Sequence, residues 1–388
     1  MKILMINVVC GIRSTGRICT DLASALESEG HEVKIAYGRE QVPAQYEKYA
    51  VKIGSDIDVK LHGVRARLTD GCGFGSKRAT IKFIDWVKRY DPDVIHLHNI
   101  HGYYINLKVL FDYLRGCGKK IIWTLHDGWA FTGHSAFCDA VNCERWKTGC
   151  YKCPLIKEYP ASYTDHSKAN WRKKREFLTG VPDMMIVTPS EWLARLTKES
   201  FLKEYPVKVI NNGIDTSQFY PIESDIKKTL GISDKKMLLG VATAWNDLKG
   251  WQDYLKLANM LDDCYQLVMV GLTKEQLSQL PDRIIGLERT NSIKELAELY
   301  SASFALLSLS YCENYPTVCL EARSCGTQVI TYDAGGSAET AGSDGVVVAK
   351  GDLNGIIEAI DKLSAVAASD AVRDKSETTR QYLAEYYA

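Results

Sequence analysis

The sequence predicts an α/β chain made of two Rossmann-like, doubly wound domains, each a parallel sheet covered by helices. Three observations predict it. Short apolar runs of strand length alternate with amphipathic stretches of helix length, the pattern that parallel sheets leave in a sequence. The alternation pauses at a polar, proline-containing connector after Asp215, T-S-Q-F-Y-P-I-E, and then restarts. A chain of 388 residues that is 46% apolar and 25% charged can bury two cores and is too long for one ordinary domain.

In the first half the strands are K-I-L-M-I-N-V-V, E-V-K-I-A-Y, D-V-I-H-L-H-N, K-I-I-W-T-L-H-D, M-M-I-V-T-P-S and V-K-V-I-N-N-G. The second series reads K-M-L-L-G-V-A-T, Y-Q-L-V-M-V-G, R-I-I-G-L, F-A-L-L-S-L-S, Q-V-I-T-Y-D and G-V-V-V-A, with helices such as Trp251 to Leu261 and Ile293 to Ala302 between them. These runs place one domain at residues 1–218, with a cysteine-rich insertion near 128–165, and a second at 219–369. Residues 370–388 form a last helix whose tyrosines, Tyr382, Tyr386 and Tyr387, pack back on the first domain. Open parallel sheets bind ligands at the carboxyl ends of their strands, so two such halves imply a cleft.

Charge excludes some functions. Lys and Arg total 48, as do Asp and Glu, so no global field favours nucleic acid. The apolar N-terminal run is too short to span a bilayer, and no later run reaches roughly eighteen apolar residues, which predicts a cytoplasmic protein. One basic stretch, Lys60, His62, Arg65, Arg67, Lys77, Arg78, Lys82, Lys88 and Arg89, has Phe74, Phe83 and Trp86 among it. It reads either as a peripheral contact with the inner face of an anionic membrane or as a solvated helix face.

The most informative segment is Glu313-Asn-Tyr-Pro-Thr-Val-Cys-Leu-Glu321, between the strand F-A-L-L-S-L-S and A-R-S-C-G. Pro316 suits the first turn of a helix and Gly326 its stop. A helix starting at the end of a parallel strand offers free N–H groups and the positive end of its dipole, a seat for a diphosphate supplied by Thr317 and Val318. Glu321, an acceptor-only side chain more than a turn further on, is placed for ribose hydroxyls, and Glu313 lies nearer the sugar. In the first half, the loop Cys10-Gly-Ile-Arg-Ser-Thr-Gly16 lets Gly11 and Gly16 approach a phosphate or sugar, although it is not a G-x-G-x-x-G dinucleotide fingerprint.

Two glutamates with seven residues between them, followed by Cys325-Gly-Thr-Gln-Val-Ile330, resemble the signature of glycosyltransferase family 4, the retaining enzymes of the GT-B fold. Ala334-Gly-Gly-Ser-Ala-Glu339 is similar to the family's G-G-x-x-E loop, and Asn211-Asn-Gly-Ile-Asp215 to the segment closing its first domain. The resemblance covers roughly residues 2 to 350.

The resemblance implies a hexosyltransferase that takes a nucleotide-diphosphate sugar as donor and a glycan or lipid-linked acceptor, in cell-surface polysaccharide synthesis, with no cofactor. It assigns Lys249 to the diphosphate, so that no Mg²⁺ is needed, Gly335 and Gly336 to the donor sugar's approach, and Glu313 to orienting that sugar. His126, which ends K-I-I-W-T-L-H-D beside Asp127, would contact the sugar; His96, His98, Asn99 and His101 end a neighbouring strand. Many relatives carry an arginine just before the lysine. Here Ala244, Trp245, Asn246 and Leu248 fill that stretch, leaving Arg283 or Arg289 as substitutes.

Of twelve cysteines, eight (Cys10, Cys19, Cys72, Cys117, Cys264, Cys312, Cys319, Cys325) are scattered, as core thiols are. The other four, Cys138, Cys143, Cys150 and Cys153, crowd one segment. At these spacings they suit a structural zinc, two disulfides or four idle thiols. Two other functions fit the fold: a nucleotide-sugar epimerase, which needs no acceptor, and a non-catalytic sugar-nucleotide or RNA-binding protein.

Overall fold

The computed structural model describes residues 1–363 and 371–387. The chain divides into two compact units, Met1–Ile210 with Thr379–Ala388, and Asn211–Thr378. The division falls eight residues before the expected 218, because the N-G-I-D segment is tied to residues near 374. Ile214 pairs with Asp374 as a parallel bridge, Lys375 Nζ reaches Asp215 Oδ2 at 2.9 Å, and the Thr216 N–H donates to Asp374 Oδ2 at 3.1 Å. The expected boundary at 369 and the start of a last helix at Asp370 lie outside the described residues.

In the first unit the elements run β1 (Lys2–Ile6), α1 (Arg13–Ser28), β2 (Glu32–Tyr37), β3 (Ala50–Lys52), α2 (Asp56–Thr69), α3 (Lys77–Tyr90), β4 (Val94–Leu97), α4 (Leu107–Gly116), β5 (Lys120–Thr124), α5 (Ser167–Leu178), β6 (Met184–Thr188), α6 (Glu191–Glu199) and β7 (Val207–Val209). The sheet order is β3-β2-β1-β4-β5-β6-β7, with every pairing parallel. Alternate residues feed two cores: Leu4, Ile6, Ile95, Leu97 and Trp123 pack on one face, and Ile3, Met5, Val94, Ile122 and Val187 on the other. The three-residue edge strand β3 is a seventh strand beyond the six runs read from the sequence.

The second unit runs α7 (Ile226–Thr229), β8 (Lys236–Val241), α8 (Trp251–Met260), β9 (Tyr265–Val270), α9 (Lys274–Leu277), β10 (Ile284–Leu287), α10 (Ile293–Ala302), β11 (Ala305–Ser308), α11 (Thr317–Ser324), β12 (Val329–Tyr332), β13 (Val346–Val348) and α12 (Leu353–Lys362). Its order is β10-β9-β8-β11-β12-β13, again all parallel. In both sheets the order reverses beside the first strand. The loops leaving β1 and β4, and likewise those leaving β8 and β11, therefore emerge side by side at the carboxyl edge, where ligands of such sheets bind.

α13 (Lys375–Tyr382) continues into a π-helical turn at Leu383–Tyr387. Its rings Tyr382, Tyr386 and Tyr387 are buried against Ile3, Met5, Ile122 and Val187 of the first sheet. Among the described residues no helix is long and apolar enough to cross a membrane.

Candidate active site

The strand reversal explains the central contact of the second unit. Lys249 leaves the loop after β8 and Glu313 the loop after β11, and the two meet as an ion pair, Nζ against Oε1. Backbone and side-chain bonds fix both loops. The Tyr311 N–H donates to Leu248 O at 2.8 Å, and Asn246 Oδ1 accepts the Lys249 N–H at 3.0 Å. Gly250 turns the chain at φ +75°, and a Cβ there would lie 2.2 Å from Leu309 O, so only glycine fits between the loops. Burial works to lower the Lys249 ammonium, but the Glu313 carboxylate beside it prevails and holds it above lysine's usual value.

α11 begins one residue later than expected. Pro316 is its N-cap, with Thr317 and Val318 as the first two helical residues, and Gly326 follows the C-cap at φ +83°. Proline thus ends the loop instead of opening the turn. Glu321 projects from the second turn, and the buried Tyr300 hydroxyl donates to its Oε2 at 2.8 Å. Gly335 has φ +63°, and the Gly336 N–H donates to Glu313 O at 3.0 Å, so the G-G loop is bonded to the glutamate loop. Beneath the site, buried Asp253 accepts from the Tyr311 and Tyr332 hydroxyls at 2.7 and 3.0 Å. Nothing in the sequence points to Tyr300 or Asp253: Tyr300 holds Glu321 from another helix, and Asp253 holds the hydroxyl of Tyr311, whose backbone N–H joins the two loops.

Arg283 does not replace the missing arginine. It precedes β10, at the amino edge of the sheet, and pairs with Asp263 at 2.5 Å. Arg289 follows β10 at the carboxyl edge and is exposed.

In the first unit, Gly11 and Gly16 close the turn into α1 on themselves. The Gly11 N–H donates to Gly16 O at 3.2 Å, and a Cβ on Gly11 would meet the Tyr46 ring at 2.4 Å. At Gly16 a Cβ would meet Val9 Cγ2 at 3.1 Å, so close packing by itself calls for both glycines. Across the reversal, Asn7 Oδ1 accepts the Asn99 N–H at 3.2 Å.

His126, after β5, is half-buried, and its Nε2 is 3.0 Å from Nδ1 of buried His98. The His98 ring packs on His96, with centroids 4.1 Å apart. His96 in turn bonds the Tyr387 hydroxyl at 2.6 Å and Thr124 Oγ1 at 2.8 Å, and Thr124 bonds the Tyr382 hydroxyl at 2.8 Å. Burial pushes His126 down to about 4, opposed by Asp127, and pushes His96 down to about 3 and His98 well down. The cluster is therefore neutral at pH 7. Asp127 is committed elsewhere: its Oδ2 is 3.0 Å from His101 Nε2 and its Oδ1 accepts the Trp129 N–H at 2.9 Å. The bonds from Tyr387 to His96 and from Tyr382 to Thr124 could not be read from the sequence, since the partners lie far apart along the chain.

Cys138, Cys143, Cys150 and Cys153 do come together, lining one small pocket of about 20 Å³ with His134. As placed, they do not form the expected zinc cage: among the described residues no three His, Cys, Asp or Glu side chains are arranged to hold a metal ion. All four are free thiols, which does not match the alternative of two disulfides. Cys138 is buried in the core, Cys150 Sγ accepts the Gly133 N–H at 3.1 Å, and burial pushes Cys138 up to about 12 and Cys150 up to about 11. His134 was not singled out from sequence; its Nδ1 is held by buried Asp70 at 2.5 Å.

Residues 15–218 match the family described as Glycosyltransferase Family 4, and residues 222–378 match Glycosyl transferases group 1. The chain is 26% identical over 358 residues to WcaC of Escherichia coli strain K12, a protein named as a colanic acid biosynthesis glycosyl transferase, across 87% of this chain and 85% of that one. It is 28% identical over 205 residues to the N,N'-diacetylbacillosaminyl-diphospho-undecaprenol alpha-1,3-N-acetylgalactosaminyltransferase of Campylobacter jejuni, across 48% and 54% of the two chains. Sucrose-phosphate synthase from Thermosynechococcus elongatus shares the fold with a TM-score of 0.75 at 17% identity, covering 100% of this chain and 98% of that one. HepE from Anabaena, solved with UDP, does so with a TM-score of 0.67 at 16% identity, covering 99% of each chain.

Proposed function

The chain belongs to glycosyltransferase family 4, and from that premise we propose that it is a retaining hexosyltransferase that moves a sugar from a nucleoside-diphosphate donor to a glycan or lipid-linked acceptor in cell-surface polysaccharide synthesis. One observation carries the site assignment: Lys249 and Glu313 meet at the strand reversal of the second sheet, in the loops beside the start of α11. An ammonium and a helix N-terminus are what a diphosphate needs, and a carboxylate suits sugar hydroxyls.

In this reading the donor diphosphate takes Lys249 from Glu313 and also meets the Thr317 and Val318 N–H groups. Glu313, released, turns to the donor sugar and orients it, Glu321 accepts from the ribose hydroxyls, and Gly335 and Gly336 admit the sugar. Within the first unit, His126 is the sugar-contacting histidine; it works as a neutral hydrogen-bonding group. The bond from the anomeric carbon to the phosphate oxygen breaks as the acceptor oxygen bonds the same face. The acceptor's proton passes to the departing phosphate oxygen. Lys249 and the helix dipole offset the charge that grows on the leaving group, so the step needs no divalent metal.

The test is a donor panel with EDTA present, beginning with UDP-sugars because HepE is solved with UDP. Release of nucleoside diphosphate together with a glycosylated product of unchanged anomeric configuration is the expected result. A donor altered without any acceptor points instead to an epimerase, and binding without turnover points to a non-catalytic protein. Zinc is measured separately: a cage at Cys138, Cys143, Cys150 and Cys153 requires the thiols to turn into the pocket and predicts about one ion per chain, where free thiols predict none.

A further inference from the structure

The face that α2 turns to solvent is apolar. Ile57, Leu61, Val64 and Leu68 are 69%, 65%, 60% and 55% exposed, while His62 and Ala66 face the core. At about 100° per residue, positions 57, 61, 64 and 68 fall within an arc of roughly 60°, one stripe along about 16 Å of helix. Tyr163, 78% exposed, extends it: its N–H donates to Arg67 O at 2.8 Å, and the Arg67 guanidinium lies 5.8 Å from its ring. Four large apolar side chains in register on one solvent face are not scattered surface residues, and they call for a partner.

The flanks identify it. Lys60 and Arg67 border the stripe on one side and Arg65 on the other; all three are exposed, and none forms an ion pair among the described residues. The helix's two acidic groups sit at its first turn and are engaged there, Asp56 with Lys52 at 2.6 Å and Asp58 with the Ser55 N–H at 2.8 Å. His62, which the sequence grouped with these cations, is not one of them: it is buried, bonded to Ser76 Oγ at 2.9 Å, and pushed down to about 4 by that burial.

We infer that α2 is a membrane-docking helix that lies flat on an anionic bilayer, with Ile57, Leu61, Val64, Leu68 and Tyr163 among the acyl chains and Lys60, Arg65 and Arg67 at the headgroups. An apolar stripe bordered by cations and edged by an aromatic ring is the chemistry of the lipid interface. A second copy of the chain fits less well, because a two-fold contact through this face sets the three cations against their own copies. Docking rests on the surface of the first unit alone and stands apart from the donor-site reading.

The full chain is floated with vesicles of phosphatidylcholine, with and without phosphatidylglycerol. The expected result is binding to the phosphatidylglycerol vesicles only. Leu61→Glu with Val64→Glu lowers the bound fraction at least about tenfold, and Lys60→Glu with Arg65→Glu removes the preference for anionic lipid. Because these side chains face solvent, both variants keep the wild-type Tm and nucleotide-sugar affinity, which separates a failure of docking from a failure of the donor site. Wild-type protein that stays unbound overturns the inference, as does a doubly substituted Leu61/Val64 variant that floats like wild type. Concentration-dependent dimers abolished by the same variant, without vesicle binding, assign the face to a second copy and overturn it too.

Discussion

The two units place their polar groups at the same point of the same sheet topology and treat them in opposite ways. In the second unit, Lys249 and Glu313 are charged, lie in loops at the carboxyl edge, and are satisfied by each other. In the first, His96 and His98 are buried and neutral, and His96 takes its support from Tyr387 directly and from Tyr382 through Thr124, near the other end of the chain. A partly exposed ion pair exchanges partners at little net cost, because water and an incoming phosphate both compensate the change. A buried neutral cluster has no such exchange: each lost bond leaves an orphaned polar atom. The first arrangement suits a group that must release its partner when a ligand arrives, and the second suits a group that must hold still.

The sharpest way to break this contrast is Glu313→Ala. If Glu313 acts on the sugar in the transition state, kcat falls by about a hundredfold to a thousandfold, while donor affinity holds steady or rises slightly because Lys249 no longer has to leave a partner. Steady-state kinetics with a donor titration measure both, and an unchanged kcat removes the assignment. Glu321→Ala comes next. Loss of the ribose acceptor weakens the nucleotide by about 2 to 3 kcal/mol, read by calorimetry with the nucleoside diphosphate alone; Tyr300→Phe gives a smaller loss in the same direction.

The buried imidazoles are tested by pH. Their folded values lie below the unfolded one, so the unfolded chain takes up protons first, and stability is full above about 6.5 and declines as the pH falls towards 4. Between pH 6.5 and 5 each of His62 and His96 contributes a loss of about 2 kcal/mol, seen as a falling Tm across that window. A flat Tm contradicts the neutral cluster. The smallest effect belongs to Tyr387→Phe, which leaves one nitrogen of His96 without its partner for about 1 kcal/mol, or about 2 to 4 °C in Tm.

Much of the second unit was legible because its chemistry lies within a few residues of a strand end. All six of its strands, the Glu313 loop and the body of α11 follow from short-range patterns, and the Lys249 to Glu313 contact follows once β8 and β11 are neighbours. Less of the first unit was legible. Its six longer runs are strands, but Gly11 serves its own turn, and His96 and His134 depend on partners remote in sequence. The stripe on α2 escaped notice for a related reason: with apolar residues on both its core and its solvent face, the helix lacks the one-sided periodicity that marks burial.

The tail has a consequence for the order of synthesis. The first unit lacks Tyr382, Tyr386 and Tyr387 until the whole second unit has been translated. At roughly 5 to 20 residues per second, that delay is roughly ten to thirty seconds. Throughout it, Ile3, Met5, Ile122 and Val187 form a sheet face that has α1 on it but lacks the rest of its cover, and His96 waits for Tyr387. The amino-terminal half therefore emerges first and is finished last, which makes a stalled or clipped chain a source of sticky, half-closed sheets.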